Sequence, residues 1–173
     1  GSIAALLINT LMSGWVSKQL IIDFLSRTSN RIGKALSDHL KFNFYDTDEQ
    51  IALESQSRIK DIFINKGEDY FRKLERSIFK KLLLNRNIVI SAGGGIILKN
   101  KDLLKQTFNI YLNCDLETLI KRTSRNKNRP LLKNNVEKNI KLLFNDRKET
   151  YNKLSDLTIN ATSNTQKTIR NIL

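Results

Sequence analysis

The chain has 173 residues, a formal net charge of +13 at pH 7 and a hydrophobic content of 40%. This length and apolar content suit one domain with a packed core, and one proline with seven glycines is too few for a long flexible linker. The single cysteine, Cys114, excludes an intramolecular disulfide, so we expect a protein of the cytoplasm.

Residues 1–18 are predicted to form an N-terminal extension of this domain. The apolar stretch 3–16 within it has helical spacing but is interrupted by polar residues. It is shorter than the ~20 residues that span a bilayer, and it lacks the basic leader of a signal peptide. We therefore expect a helix packed on the domain and no membrane partner.

Short apolar runs alternate along the chain with stretches of helical periodicity, which predicts βα units and a mostly parallel sheet. The predicted strands are 20–24, 43–46, 87–91, 109–113 and 157–160. The predicted helices are 30–40, 57–65, 68–85, 101–106, 116–125, 136–151 and 165–173. Helices on both faces of a five-stranded parallel sheet give a three-layer α/β/α architecture.

Two carboxylates separated by one residue, Asp46 and Asp48, follow the predicted strand 43–46. Ligands of open parallel sheets bind beyond the carboxyl ends of the strands. One carboxylate there can hold Mg²⁺ directly or through water, and a second can accept a proton from an attacking alcohol. The alternative is an aspartate that caps the next helix, and Asp48 could cap that helix and bind a ligand at once.

A glycine triplet, 93–95, comes directly after the predicted strand 87–91. Without Cβ atoms this segment can bring backbone N–H donors close to a small polar ligand, although a plain loop is the alternative. Two arginines on predicted helices, Arg72 and Arg147, are usually solvated. A carboxylate ligand would require their two planar guanidinium groups to converge.

A strongly basic stretch covers residues 121–129 and contains Arg122, Arg125 and Arg129. We interpret residues 124–134 as a lid, because a basic loop that closes over nucleotide phosphates excludes water and stabilises their charge. The alternative is a run of solvated charges. The remaining basic residues are scattered along the chain, so we expect no nucleic-acid partner.

One ordered set of residues resembles the pattern of the shikimate kinase family. Its members are Asp46, Thr47, Asp48, Ile62, Phe63, Gly67, Glu68, Phe71, Arg72, Glu75, Gly93, Gly94, Gly95, Arg129, Pro130, Leu131, Leu132, Arg147 and Tyr151. The resemblance implies a P-loop fold like that of nucleoside monophosphate kinases. It also implies transfer of the ATP γ-phosphoryl group to the 3-hydroxyl of shikimate, a step of aromatic amino-acid biosynthesis, by a protein that we expect to be a monomer.

On the acceptor side, the resemblance assigns a role to each residue of the set. Asp48 would hold the shikimate hydroxyls and help to remove the attacking proton, and Arg72 with Arg147 would grip the carboxylate. Gly93, Gly94 and Gly95 would present backbone donors to the ring.

On the nucleotide side, the resemblance assigns Asp46 to Mg²⁺ through water. Arg129 would come down from the lid onto the phosphates of ATP, and Arg122 would pack on the adenine side.

The phosphate loop departs from the family pattern, because Gly-x-x-x-x-Gly-Lys-[Ser/Thr] is absent. Counting back from Ile32 places Ser29 at the lysine position and Asn30 at the Mg²⁺-binding hydroxyl position. The predicted nucleotide-binding residues are therefore Ser26, Arg27, Thr28, Ser29, Asn30 and Arg31. An altered working loop, a loss of catalysis and a faulty N-terminal reading frame all remain open.

Three functions follow from the sequence, in order of preference. The first is an ATP-dependent shikimate kinase, and the second is a noncatalytic binding or regulatory protein that has kept the fold but lost ATP binding. The third is a basic nucleic-acid-binding domain.

Overall fold

The computed structural model describes residues 18–23, 26–124 and 135–172. The predicted N-terminal helix, the predicted lid from residue 125 onward and Arg129 lie outside the described residues. Within them, no helix is long and apolar enough to cross a membrane.

The described elements follow the predicted alternation of strands and helices. In chain order they are β1 (Lys18–Asp23), α1 (Ser26–Leu40), β2 (Asn43–Asp46), α2 (Thr47–Ser55), α3 (Ile59–Leu82), β3 (Ile88–Gly93), β4 (Phe108–Asn113), α4 (Leu116–Ser124), α5 (Val136–Leu154), β5 (Leu157–Asn160) and α6 (Thr165–Ile172). Two 3₁₀ turns, Gly94–Leu98 and Leu103–Gln106, lie between β3 and β4.

The strands form one parallel sheet in the order β2-β3-β1-β4-β5, so β1 lies at its centre. In the register of β2 with β3, Asp46 is opposite Ser91. The carboxyl ends of these two strands therefore lie side by side, and the residues that follow them share one edge of the sheet.

The core lies on both faces of the sheet. In β3, Val89 belongs to the cluster that contains Leu36 of α1, whereas Ile88 and Ile90 belong to the cluster that contains Phe79 of α3. Successive side chains of a strand point to opposite faces, which explains why one strand supplies both clusters. This arrangement confirms the α/β class, with helices packed on each face.

Two predictions differ on the nucleotide side of the sheet. Helix α1 begins at Ser26 and not at residue 30, because the polar segment before Ile32 continues the helix instead of forming a loop. Helix α2 was not among the predicted helices, although an aspartate that caps a following helix was the alternative at Asp46 and Asp48. Only Thr47 and Ile51 of its residues are buried, so it has little apolar periodicity.

Two further predictions differ on the acceptor side. The predicted helices 57–65 and 68–85 form a single run, α3, which is kinked at Gly67 (φ 80°, ψ 173°). This backbone conformation suits glycine, since other residues avoid positive φ. The predicted helix 101–106 is the short 3₁₀ turn Leu103–Gln106.

Candidate active site

Asp46, the last residue of β2, caps helix α2. Its Oδ1 accepts hydrogen bonds from the backbone N–H of Asp48 at 2.8 Å and of Glu49 at 3.4 Å. These bonds satisfy N–H groups that have no partner inside the helix. The predicted cap at Asp48 was therefore wrong by two residues, and Asp48 lies in the first turn of the helix that Asp46 fixes.

The second oxygen of Asp46 belongs to a neutral polar network. Nδ2 of Asn30 donates to Oδ2 of Asp46, and Oγ of Ser91 donates to Oδ1 of Asn30 at 2.5 Å. Oγ of Ser91 also lies 2.7 Å from Oγ of Ser29, a fully buried side chain. The network thus connects the first turns of α1 to the ends of β2 and β3.

The residues predicted for the phosphate loop, 26–31, all lie in helix α1. Thr28 and Ser29 are buried against the domain, whereas Arg31 is exposed. The described part of this segment is therefore helical, where the predicted phosphate loop would present an open nest of N–H groups.

The described residues do not fit an Mg²⁺ ion held by the protein alone. The carbonyl oxygen of Asn30 accepts from Ser91, and its NH₂ group faces Asp46. An ionised carboxylate only accepts hydrogen bonds, so Asn30 must present its donor, not its oxygen, to Asp46. Among the described residues, no three His, Cys, Asp or Glu side chains form a group that could hold a metal ion. Asn30 as a predicted metal ligand disagrees with this geometry.

Arg122 ties helix α4 to the segment that follows β5. Its guanidinium donates to the carbonyl oxygens of Ala161 at 3.0 Å and Ser163 at 2.9 Å, and its Nη1 lies 3.6 Å from Sγ of Cys114. This side chain therefore shapes the surface beside the carboxyl end of β5. Its predicted contact with adenine stays a prediction.

Arg72 is a buried cation on the acceptor side, with a relative exposure of 6%. Its Nη1 donates to both carboxylate oxygens of Glu75 at 3.0 and 2.9 Å, and its Nε and Nη2 donate to Oε1 of Glu68 at 3.2 and 3.1 Å. Although burial disfavours the guanidinium charge, the two glutamates hold the pKa of Arg72 above its ordinary value. Helical spacing of three and four residues places all three side chains on one face of α3.

The glycine triplet gives this guanidinium the space that it needs. A Cβ atom at Gly95 would lie 2.3 Å from Nη1 and Nη2 of Arg72, whereas a Cβ at Gly93 would meet nothing within 4 Å. The carbonyl oxygen of Gly94 accepts a hydrogen bond from the Tyr151 hydroxyl at 2.8 Å. A side chain at Gly95 would thus force the Arg72 guanidinium to shift, so Gly95 gives space to Arg72, a role that differs from the predicted presentation of backbone donors.

Glu75 connects the remaining predicted residues electrostatically. Burial raises the pKa of Glu75 to about 7, although Arg72 opposes the shift. The charge of Asp48 raises this pKa further and that of Arg147 lowers it. The charges of Asp48 and Arg147 therefore act on the same buried carboxyl group as Arg72 does.

Arg147 of helix α5 is buried, with a relative exposure of 8%. Its Nε is inaccessible and has no hydrogen-bond partner, and the side chain makes no hydrogen bond or ion pair within the described part of the chain. A buried polar group without a partner is costly, so such a group commonly awaits a ligand. Contacts and charge effects thus link Arg72 to Gly95, and Asp48 and Arg147 to the partner of Arg72, whereas the predicted substrate roles of these residues stay predictions.

Ser91 is the site residue for which the sequence suggested no role. It joins Asn30 to Ser29 and lies opposite Asp46 in the sheet. A polar residue in an otherwise apolar buried strand, directly before a glycine segment, was the available signal.

Comparisons with known proteins agree with this geometry. The model of the family described as shikimate kinase matches residues 30–173. The shikimate kinase of Persephonella marina is 40% identical over 134 residues, which cover 76% of this chain and 81% of the relative. That of a Sulfurihydrogenibium species is 37% identical over 152 residues, which cover 86% and 90% of the two chains.

A solved structure supports the same assignment. The shikimate kinase from Acinetobacter baumannii in complex with shikimate has a TM-score of 0.85 and 27% identity, with 92% of each chain covered. The fold is therefore that of an α/β P-loop kinase. With the family model spanning residues 30–173 and relatives at this identity, the chain belongs to the shikimate kinase family.

Proposed function

We propose that this protein transfers the γ-phosphoryl group of ATP to the 3-hydroxyl of shikimate, as a shikimate kinase. The observation that carries the proposal is the convergence of Arg72, Arg147 and Asp48 beside Gly94 and Gly95. Family membership and the relative solved with shikimate point to the same acceptor.

The two arginines recognise the substrate carboxylate. Arg147 has no anionic hydrogen-bond partner among the described residues, so its charge is available to a ligand. Arg72 is already paired with Glu68 and Glu75, which hold its guanidinium in one orientation. Planar guanidinium groups bind carboxylates with charge-assisted hydrogen bonds, so this pair selects a small acid.

Asp48 accepts the proton of the attacking hydroxyl. It is half-buried in the first turn of α2, and the cap at Asp46 fixes the backbone on which it lies. The charge of Asp48 acts on the same buried carboxyl group as those of Arg72 and Arg147, which supports a base beside the bound acid. Positioning of this kind accounts for much of the rate in phosphoryl transfer.

ATP is the proposed donor, although the phosphate-contacting lysine of the family pattern is absent. A charge-assisted contact of this kind contributes about 1.5–3 kcal/mol. At about 1.36 kcal/mol for each tenfold in rate, its loss costs about ten- to a hundredfold. We therefore expect turnover that is measurable but slow.

A coupled assay of ADP release with shikimate and Mg-ATP tests the activity. We expect shikimate-dependent turnover that disappears in Asp48→Asn, which keeps the size of the side chain and removes the base. An exposed substitution with the same chemistry, Asp69→Asn on α3, serves as the control. Equal rates with and without shikimate would refute the kinase activity.

A second function is favoured by the network around Asn30. Neutral side chains occupy the nucleotide side, whereas the acceptor side keeps its charges, which also suits a protein that binds shikimate without phosphorylating it. Calorimetric titration with shikimate and with ATP separately distinguishes the two functions. Binding of shikimate alone supports the noncatalytic protein, and binding of both ligands supports the kinase.

A further inference from the structure

We propose that Asn30 is a positioning residue that makes the acceptor side of the site independent of a metal ion. Its amide holds Asp46, and through Asp46 it holds the first turn of α2, which carries Asp48. The proposal goes beyond the kinase activity, because it concerns how the site is ordered and not whether it turns over.

The charge of Asp46 is satisfied by the protein itself. Its carboxylate accepts from three N–H donors: the side chain of Asn30 and the backbone groups of Asp48 and Glu49. The two backbone donors belong to the N-terminus of α2, where the helix dipole also favours a negative charge. A divalent cation is therefore not needed to hold this carboxylate in place.

The orientation of Asn30 is determined by Asp46, because an ionised carboxylate only accepts hydrogen bonds and so must face the NH₂ group. The opposite end of the amide, Oδ1, then accepts from Ser91 at 2.5 Å. Ser91 lies in the buried strand β3, opposite Asp46, and Ser29 is within 2.7 Å of its hydroxyl. Rotation of the amide to offer its oxygen to a cation would break the hydrogen bond to Asp46, because the carboxylate cannot donate.

Hydrogen exchange tests the proposal directly on the helix. The backbone N–H groups of Asp48 and Glu49 report the cap, and they can be followed in the free protein without nucleotide or acceptor. In the unsubstituted protein we expect addition of Mg²⁺ to change their protection by less than about twofold. A rise of tenfold or more on adding Mg²⁺ would overturn the proposal, and this measurement requires no variant.

Two substitutions test whether the amide donor of Asn30, and not only the volume of its side chain, holds Asp46. Asn30→Ala removes the donor, and we expect protection to fall about tenfold or more and to stay low with Mg²⁺. Asn30→Asp places a second carboxylate beside Asp46, which repels it and also creates a pair of the ligands that Mg²⁺ prefers. Protection should fall without Mg²⁺ and return to within about threefold of the original value when Mg²⁺ is added.

The matched control is Asn152→Asp, the same change at an exposed position of α5. We expect it to leave the protection of Asp48 and Glu49 unchanged with and without Mg²⁺. Unchanged protection in Asn30→Ala, or a loss in Asn30→Asp that Mg²⁺ does not restore, would overturn the positioning role. Because the readout involves neither ATP nor shikimate, it is independent of the outcome of the kinase assay.

Discussion

The acceptor side and the nucleotide side of this site are built from different kinds of side chains. On the acceptor side, Arg72, Glu75 and Arg147 are buried ionisable side chains. On the nucleotide side, Ser29, Asn30 and Ser91 form a neutral network that ends on Asp46. Both lie at the carboxyl edge of the same sheet, so the difference comes from the side chains and not from the fold.

The two sides also differ in whether their buried polar groups have hydrogen-bond partners. Burial of a polar group is costly unless it is hydrogen-bonded, and Nε of Arg147 has no hydrogen-bond partner among the described residues. Neutral hydroxyl and amide groups satisfy one another and carry no such cost. A bound anion would therefore stabilise the acceptor side, whereas the side chains around Asn30 already have hydrogen-bond partners.

Substitution of Gly95 should have the largest effect on the acceptor side. Gly95→Ala places a Cβ atom about 2.3 Å from the Arg72 guanidinium, which must then leave its position between Gly95 and Glu75. We expect shikimate affinity, measured by calorimetry, to fall more than about a hundredfold, because displacement of Arg72 costs more than one charge-assisted hydrogen bond. Gly93→Ala is the matched control, since a Cβ there meets nothing, and equal affinities in both variants would contradict the role of Gly95.

The buried carboxyl group of Glu75 makes the free energy of unfolding depend on pH. Its pKa of about 7 lies above the ordinary value of 4.5, because burial disfavours the charged form. Between pH 4.5 and about 7 the native state therefore holds a proton that the unfolded state has released. The contribution of Glu75 to the free energy of unfolding is highest below pH 4.5, falls as pH rises to about 7 and is level above it. Arg72, Asp48 and Arg147 face the same carboxyl group and set the midpoint.

Urea denaturation between pH 5 and pH 8 measures this dependence. We expect a loss of up to about 3 kcal/mol over the range in the unsubstituted protein. Glu75→Gln, which cannot ionise, should remove most of the slope. A slope that persists in this variant would assign the titration to another group.

Substitution of Arg147 tests whether the acceptor side recognises the carboxylate of shikimate. Arg147→Lys keeps the positive charge and loses the planar fork, so we expect about tenfold weaker binding of shikimate. Binding of its methyl ester, which lacks the negative charge, should change much less. Arg58→Lys on the exposed start of α3 is the control, and an equal loss for acid and ester would reject carboxylate recognition by Arg147.

Substitution of Tyr151 tests whether its hydroxyl supports the glycine segment, and it should have the smallest of these effects. Tyr151→Phe keeps the ring that stacks on Tyr111 at 4.7 Å but removes the hydroxyl that donates to Gly94. We expect a loss of about 1 kcal/mol in the free energy of unfolding, since one neutral hydrogen bond is removed. Tyr70→Phe, at a half-exposed position, should be neutral by the same measurement, and an equal effect of both would argue against the bond to Gly94.

The acceptor side could be predicted from the sequence because its residues have motif spacing. Arg72 and Glu75 are one helical turn apart, and the glycines follow a strand whose apolar run is plain. The reason for Gly95 could not be predicted, because the guanidinium that excludes a Cβ comes from a distant helix. The sequence pattern therefore identifies Gly95, whereas the packing of Arg72 against it explains why this position lacks a side chain.

The nucleotide side could not be predicted in the same way. Asn30 and Asp46 are sixteen positions apart in sequence, and their contact depends on the register that puts Asp46 opposite Ser91. Polar residues before Ile32 were taken for a loop, although they continue helix α1. Helix α2 was missed because its stability comes from the cap at Asp46 and not from an apolar face.

The central place of β1 in the sheet determines how firmly its backbone is held. Hydrogen bonds from β3 on one side and β4 on the other engage the peptide groups of β1. Separation of the sheet at β1 therefore requires two ladders to break, whereas β2 and β5 at the edges each have one neighbouring strand.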